Sequence, residues 1–145
     1  MNLAILVARL VIGGVLLAAG ALKIGHVDWL AGQIASYRIL PAVLIAPLAI
    51  ALPLFEIVLG AYLLIGLYTK VAAWIAVAEF VLFAAAIASV VLRGIPASCG
   101  CFGPGDVRPA SWLEVGRDLA LALVAAFIAW RGPGVPALDR RLKQV

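Results

Sequence analysis

Four long apolar stretches make up most of this chain and leave few ways for it to fold. They cover residues 3–22, 48–68, 71–92 and 112–130. About 20 helical residues, at roughly 1.5 Å each, cross the hydrocarbon core of a bilayer. The composition agrees, with 66% hydrophobic residues, 12% charged residues and a mean hydropathy of +1.19. The sequence therefore predicts a single membrane domain over residues 1–145, an all-α bundle of four transmembrane helices.

The segment between the first two apolar stretches predicts a short helix at the membrane surface. Residues 23–40 mix charged residues with Trp29, Ile34 and Tyr37. A helix would place these aromatic and apolar side chains along one side, as in helices that lie in the interface. We therefore expect an interfacial helix between transmembrane helices one and two.

The start of the second span is ambiguous because three prolines follow one another at intervals of six residues. They are Pro41, Pro47 and Pro53. Proline is best tolerated in the first turn of a helix. The preferred prediction is therefore a helix that starts at Pro47, after a lead-in over residues 40–46 that dips into the membrane. The alternative is a kinked helix that begins at Pro41.

The basic residues inform the topology. Residues 69–70 form the shortest connection, so the second and third spans make an antiparallel hairpin. Four spans place both termini on one side of the membrane, and the C-terminal Arg140, Arg141 and Lys143 favour the cytoplasm for that side. The loop over residues 93–111 then faces outward.

Both cysteines lie in that outward loop. Cys99 and Cys101 flank Gly100, and two thiols at this spacing can form a disulfide, bind one soft metal ion or exchange with a partner's disulfide. A disulfide needs Cα atoms about 4.4–6.8 Å apart, and Gly100 allows the backbone to turn enough for that. The pair is a redox candidate. A passive staple is the alternative, although so short a ring would stabilise little.

Among the charged residues within or at the ends of the apolar stretches are Arg9, Lys23, Glu56 and Glu79. A bare carboxylate inside a membrane costs at least a few kcal/mol, so each glutamate should be protonated, paired or beside water. Arg9 and Glu79 lie about 9 and 12 Å from the cytoplasmic ends of their helices, which predicts an ion pair. Alternatively, Arg9 reaches the headgroups and Glu79 is protonated. Glu56 is a candidate proton carrier or a structural hydrogen-bond donor.

Two further side chains bear on the cysteine pair. Arg117 lies near the outer end of the fourth helix, where it would favour a cysteine thiolate or pair with Asp118. His26 lies in the other outward loop. Together with Cys99 and Cys101 it would suit Cu(I), or Zn(II) with a fourth ligand from elsewhere. A lone histidine in a loop is usually just solvated, so the main prediction includes no metal site.

Several motifs occur in an order that is typical of one known family. They are Ala19-Gly20 with Lys23, Tyr-Arg-Ile-Leu-Pro at residues 37–41, Leu52-Pro53 with Glu56 and Gly60, Arg93-Gly94, Cys99-Gly100-Cys101-Phe102-Gly103, and Trp112 with Arg117 and Asp118. Together they resemble the MauE family of methylamine-utilisation membrane proteins, which is related to the DoxX-like four-helix proteins. The resemblance covers residues 5–130.

The resemblance implies a multi-pass protein of the bacterial inner membrane that assists the maturation of a disulfide-rich periplasmic protein beside a thioredoxin-like partner. Cys99 and Cys101 carry over as the redox pair. The residues expected to support their loop are Gly100, Phe102, Gly103, Arg93 and Arg117. Lys23, Glu56 and Arg93 carry over as motif positions without a known role.

The leading prediction is a thiol–disulfide exchange protein embedded in membrane lipid. One thiolate attacks a partner disulfide and the other resolves the mixed disulfide. With two cysteines in the chain, electrons pass on to another protein or, by fold analogy, to a membrane quinone. The second prediction is a carrier for a soft metal ion or a small thiophilic solute, and the third a scaffold subunit with a stiffened loop. The scattered basic residues argue against nucleic acid.

Overall fold

The structure is a computed structural model that describes residues 2–134 and 137–139. It contains five helices: α1 (Asn2–Lys23), α2 (Val27–Ser36), α3 (Ala42–Ile65), α4 (Thr69–Leu92) and α5 (Trp112–Arg131). Within those residues there is no β-strand, and an isolated antiparallel bridge joins Ser98 to Pro109. The predicted all-α class is confirmed. The basic residues Arg140, Arg141 and Lys143 lie outside the described residues.

Three helices are long and apolar enough, by length and composition, to cross a membrane. They are Leu3–Lys23, Ala42–Ile65 and Thr69–Leu92. The fourth expected span, α5, is not among them, because Glu114, Arg117 and Asp118 fall in its first two turns. The short α2 lies between the first two apolar helices, where a short helix was expected.

The four long helices surround an apolar core, and a second, smaller buried cluster forms where Cys99 packs against residues of α4 and α5. α1 packs mainly on α3 and α4 mainly on α5, whereas α3 and α4 contact each other much less. Close approach of α1 and α3 depends on glycine: a Cβ at Gly20 would lie 2.6 Å from the carbonyl oxygen of Pro53, and one at Gly60 would lie 2.7 Å from that of Gly13. These two contacts also show that α1 and α3 run antiparallel.

The start of α3 corrects the preferred boundary of the second span. The helix begins at Ala42, with Pro41 as its N-cap, and continues through Pro47 and Pro53. The expected lead-in over residues 40–46 was therefore wrong, and the alternative that begins at Pro41 has the right start. In an apolar helix bundle, neighbouring groups can satisfy the backbone carbonyls that proline leaves free, so proline is tolerated inside the helix.

The turn between α3 and α4 also lies earlier than expected. Gly66 ends α3 in the left-handed region with φ of +73°, and Tyr68 adopts φ of +48°. α4 already begins at Thr69, so residues 69–70 belong to the helix and not to the connection. Asp139 closes this end of the bundle, because its carboxylate accepts the N–H groups of Tyr68 at 2.6 Å and Thr69 at 2.8 Å.

Candidate functional site

The cysteine loop begins where a glycine and a proline end α4. α4 ends at Leu92, Gly94 adopts a left-handed φ of +63°, and Pro96 cannot continue a helix. The loop then closes at its base, because the N–H of Cys99 donates to the carbonyl of Arg108 at 2.9 Å. The segment between these two residues therefore forms a compact lobe above the bundle.

Cys99 and Cys101 are joined by a disulfide within this lobe. Their Cα atoms are 5.5 Å apart, inside the usual range for a disulfide. Gly100 makes the turn between them with φ of +66°, and a Cβ at this position would lie 3.4 Å from Trp29 and 3.5 Å from Gln33. Gly100 thus faces Trp29 and Gln33 of α2, at a distance that would leave a Cβ in ordinary van der Waals contact with them.

The end of α2 holds the cysteine backbone in place. The hydroxyl of Tyr37 donates to the carbonyl of Cys99 at 2.9 Å and to that of Ser98 at 3.2 Å. Burial raises the pKa of Tyr37 to about 12, and the nearby carboxylate of Asp118 adds to this effect. The hydroxyl therefore keeps its proton, and its capacity to donate, throughout the neutral pH range.

Two of the predicted supporting residues, Gly103 within the lobe and Arg93 just before it, lie against other parts of the bundle. Gly103 has φ of +81°, and a Cβ there would lie 2.6 Å from the carbonyl oxygen of Leu22 at the end of α1. Arg93 donates to the backbone carbonyls of Arg38 and Tyr37. The lobe is therefore fastened both to α1 and to the segment that follows α2.

Arg117 is the charged group closest to the sulfur atoms. Its Nη2 lies 3.1 Å from Sγ of Cys101 and 3.6 Å from Sγ of Cys99. The guanidinium also stands 5.3 Å from the ring centroid of Phe102 and donates to Oδ1 of the buried Asp118 at 2.8 Å. Arg117 thus contacts both sulfurs and pairs with Asp118 in one arrangement. A fixed cation beside two sulfurs favours a thiolate when the pair is reduced.

The two sulfur-bearing residues differ in accessibility. Cys99 is 6% exposed, whereas Cys101 is half-buried. Cys101 is also the nearer of the two to Arg117. An incoming thiolate therefore reaches Cys101 more easily, and Cys99 is the shielded member of the pair.

A buried ion pair lies deeper in the bundle. Nζ of Lys23 donates to Oε1 of Glu56 at 2.6 Å, and the two side chains are 2% and 1% exposed. Glu79 of α4 and Asp118 of α5, the partner of Arg117, are also buried. Each of the four long helices therefore carries at least one buried ionisable side chain.

The Lys23–Glu56 pair does not emerge from the sequence alone. A second helix starting at residue 48 would leave Glu56 about 12 Å deep, while Lys23 stands at the end of α1. In the antiparallel α1 and α3, each side chain leans toward the N-terminus of its own helix, so the two side chains lean toward each other. One feature of the sequence could have indicated the pair: a basic residue and an acidic residue lie in or next to two successive apolar stretches.

Arg9 corrects the predicted ion pair with Glu79. Its guanidinium donates to the carbonyls of Leu63 at 3.0 Å, Leu64 at 3.1 Å and Pro133 at 2.7 Å. Neither carboxylate oxygen of Glu79 has a hydrogen-bond partner within the described chain. The prediction was wrong because the last carbonyls of a helix lack partners of their own, and they meet the guanidinium at close range.

The structure does not form the alternative metal site expected from His26, Cys99 and Cys101. In residues 2–134 and 137–139, no group of three or more His, Cys, Asp or Glu side chains could hold a metal ion. His26 instead precedes α2 as its N-cap residue, and Cys99 and Cys101 are bonded to each other. These residues therefore do not form the ligand set expected for Cu(I) or Zn(II).

Comparison with known proteins gives one family. The model of the family described as "Methylamine utilisation protein MauE" matches residues 1–131. Curated relatives with that name are 36% identical in Paracoccus denitrificans (89% of this chain, 68% of the relative), 39% in Methylorubrum extorquens (84% and 67%) and 38% in Methylophilus methylotrophus (84% and 65%). The chain thus spans about two thirds of these relatives. No solved structure matches it significantly.

Proposed function

Because this chain belongs to the MauE family, we propose that it is a membrane thiol–disulfide exchange protein whose working pair is Cys99 and Cys101. The observation that carries the proposal is the position of Arg117, with Nη2 at 3.1 Å and 3.6 Å from the two sulfurs. A purely structural staple would need no cation beside it. A pair that cycles between disulfide and thiolate gains from one.

The proposed chemistry begins at Cys101. A thiolate of the partner attacks Sγ of Cys101, the bond between Cys101 and Cys99 breaks, and Cys99 leaves as a thiolate beside Arg117. A second thiolate of the partner then attacks the mixed disulfide and releases Cys101. The partner gains a disulfide, and this chain takes up the two electrons. The reverse direction uses the same sulfurs in the opposite order.

We place the protein in the bacterial inner membrane with α5 as a fourth span, α2 at the interface, and both termini in the cytoplasm. Trp112 and Trp130 stand at the two ends of α5, as in an interfacial belt. Glu114 and Asp118 are buried against protein, so these acidic groups do not face lipid. This topology exposes the cysteine lobe to the periplasm, where disulfides persist.

The partner is a thioredoxin-like or disulfide-rich periplasmic protein. The curated relatives carry the name methylamine utilization protein, and we infer that this chain supports the maturation of a periplasmic protein in a pathway of that kind. The half-buried Cys101 on the lobe gives such a partner a sulfur that it can reach.

A redox titration tests the proposal. The purified protein in lipid nanodiscs is equilibrated with mixtures of reduced and oxidised glutathione or dithiothreitol, and its free thiols are counted by mass spectrometry. We expect a reversible two-electron transition in the range of thioredoxin-like proteins, about −270 to −120 mV. A pair that changes state only after the protein is denatured would make the disulfide a structural staple and overturn the proposal.

A further inference from the structure

A cavity of about 630 Å³ lies between α3 and α4, beneath α2. Its size falls within the range of ordinary ligand pockets, about 300–1,000 Å³. Apolar side chains form most of its wall, among them Leu48, Leu52, Phe55, Leu82, Phe83 and Ile87 of α3 and α4. These two apolar helices contact each other much less than α1 contacts α3 or α4 contacts α5, so in a membrane the space between them would be open to the hydrocarbon.

The cavity ends at the redox pair. Cys99, Gly100 and Cys101 all line it, so the disulfide borders the interior of the bundle as well as the outer surface. A molecule in the cavity would therefore lie against the same cysteine pair that a periplasmic partner would attack at Cys101.

Two ionisable side chains also line the cavity, Lys23 and Glu79. Glu79 is 6% exposed, and neither of its carboxylate oxygens has a hydrogen-bond partner in the part of the chain that the structure describes. A buried polar group of this kind calls for a partner that is absent from the structure. Lys23 carries three N–H donors, and its hydrogen bond to Glu56 uses one of them.

We propose that this cavity binds the head group of a membrane quinone, which oxidises the reduced Cys99–Cys101 pair. The inference rests on the proposed thiol–disulfide exchange and adds its lipid-phase electron acceptor. The occupant must be apolar enough to enter from the bilayer, must present acceptor oxygens to Lys23 and Glu79, and must accept two electrons beside a dithiol. A quinone with an isoprenoid tail meets all three requirements, with the tail leaving between α3 and α4.

The reaction balances without another reagent. The two thiols lose two electrons and two protons as the S–S bond forms between Cys99 and Cys101. The quinone takes up both electrons and both protons, and its two carbonyl oxygens become hydroxyl groups. Glu79 passes a proton to the nearer oxygen and regains one from the dithiol. The oxidised pair is then ready to accept electrons from the next periplasmic partner.

The test is single-turnover oxidation of the reduced protein by decylubiquinone, in nanodiscs without oxygen. Quinol is followed by absorbance and the disulfide by mass spectrometry, and we expect one quinol for each disulfide formed. Leu52→Trp, which fills the cavity, should slow the reaction at least tenfold. Leu54→Trp is the matched control, since Leu54 is 50% exposed on the same helix and does not line the cavity. Its rate should equal that of the wild type.

Glu79→Gln separates proton transfer from binding. Glutamine retains a hydrogen bond to a quinone oxygen but cannot deliver a proton, so the maximal single-turnover rate constant with decylubiquinone should fall about tenfold, while the quinone concentration that gives half of that maximum changes little. All variants should still equilibrate with glutathione buffer as the wild type does, which shows that the cysteine pair is intact.

The outcomes distinguish this inference from the proposed function. If the wild type equilibrates with glutathione but decylubiquinone leaves its thiols reduced, the quinone site is wrong and exchange stands. Equal rates for Leu52→Trp and Leu54→Trp would likewise overturn the site, because the quinone would then react outside the cavity. If neither glutathione nor the quinone changes the state of the pair, both proposals fail.

Discussion

Arg117 and Cys101 form the closest charged contact at the disulfide, with Nη2 3.1 Å from Sγ. The guanidinium is not free to turn away, because its Nε and Nη2 both donate to Oδ1 of Asp118, at 2.9 Å and 2.8 Å. A buried carboxylate thus fixes the cation beside the sulfur. A cation held in this way would favour a thiolate when the pair is reduced.

Replacing Arg117 should slow the chemistry of the reduced pair. In Arg117→Gln the cation that favours the thiolate is lost, so we expect alkylation by iodoacetamide at pH 7 to slow about tenfold and its pH profile to move upward. Arg117→Lys keeps the charge, so its alkylation rate should lie between those of Arg117→Gln and the wild type. Lys70→Gln removes an equal charge at the start of α4 and serves as the control. Identical pH profiles for Arg117→Gln and the wild type would show that the contact has no chemical role.

The two single-cysteine variants should behave differently. Cys99→Ser leaves the accessible Cys101 and should accumulate a mixed disulfide with glutathione disulfide or a thioredoxin-like protein. Cys101→Ser leaves the shielded Cys99, which is 6% exposed, and should form the adduct several times more slowly. Mass spectrometry of samples quenched with acid measures both. Faster adduct formation by Cys101→Ser would reverse the order of attack proposed above.

Substitution of Gly103 should loosen the cysteine lobe. Alanine there would need φ of +81° and would place its Cβ 2.6 Å from the carbonyl oxygen of Leu22, so we expect a loss of about 1–3 kcal/mol in the free energy of unfolding. Gly105→Ala is the control, since a Cβ at Gly105 meets nothing within 4 Å. That variant should stay within about 0.5 kcal/mol of the wild type. Equal stability of the two variants would contradict the proposed contact between lobe and α1.

Removing one partner of the buried Lys23–Glu56 pair should cost more than removing both. Lys23→Met leaves Glu56 buried without its cation, and such changes typically destabilise by about 3–5 kcal/mol. The double variant with Glu56→Leu should recover most of that loss, because apolar replacements of a buried pair are often neutral. The free energies of unfolding of the two single variants and the double variant, measured in mixed micelles, form a double-mutant cycle. Lys70→Met, at an exposed lysine, is the control. Additive effects of the two substitutions would mean that the side chains do not interact.

The closure of the bundle by Asp139 should depend on pH. Burial acts to raise the pKa of Asp139, but the hydrogen bonds from Thr69 and Tyr68 outweigh it and hold that pKa below its usual range. The contact therefore contributes its full stability above the unfolded pKa of about 3.9, and this stability is lost as the pH falls through the lower pKa of the folded protein. Protection of the Thr69 amide from hydrogen exchange should therefore decrease in that acidic range. In Asp139→Asn, the exchange rate of the Thr69 amide should vary with pH only as that of an unprotected amide does. If this variant still loses protection at acidic pH, another group must be responsible for the pH dependence.

Much of the fold follows from local sequence. α1, α4 and α5 lie within two residues of the apolar stretches, because their ends are set by nearby signals such as Gly94 and the N-cap Ser111, whose side chain accepts from Leu113. The all-helical class and the family follow from the length of these stretches and from the order of the motifs. In all of these cases the information lies within one helix or one loop.

The partners of the buried charges and the cavity were decided by tertiary structure. Arg9 and Glu79 lie at matching depths along their helices, yet Arg9 meets the end of α3 and Glu79 faces the cavity. The depth of a residue along its helix does not specify which neighbouring residue its side chain contacts. That contact depends on which helices pack together, where each helix begins and ends, and the direction in which its side chains point. The early start of α3 and its loose contact with α4 are such features. For that reason the sequence alone determined α1, α4, α5 and the position of the cysteine pair, whereas the assembled bundle decided the start of α3 and what surrounds that pair.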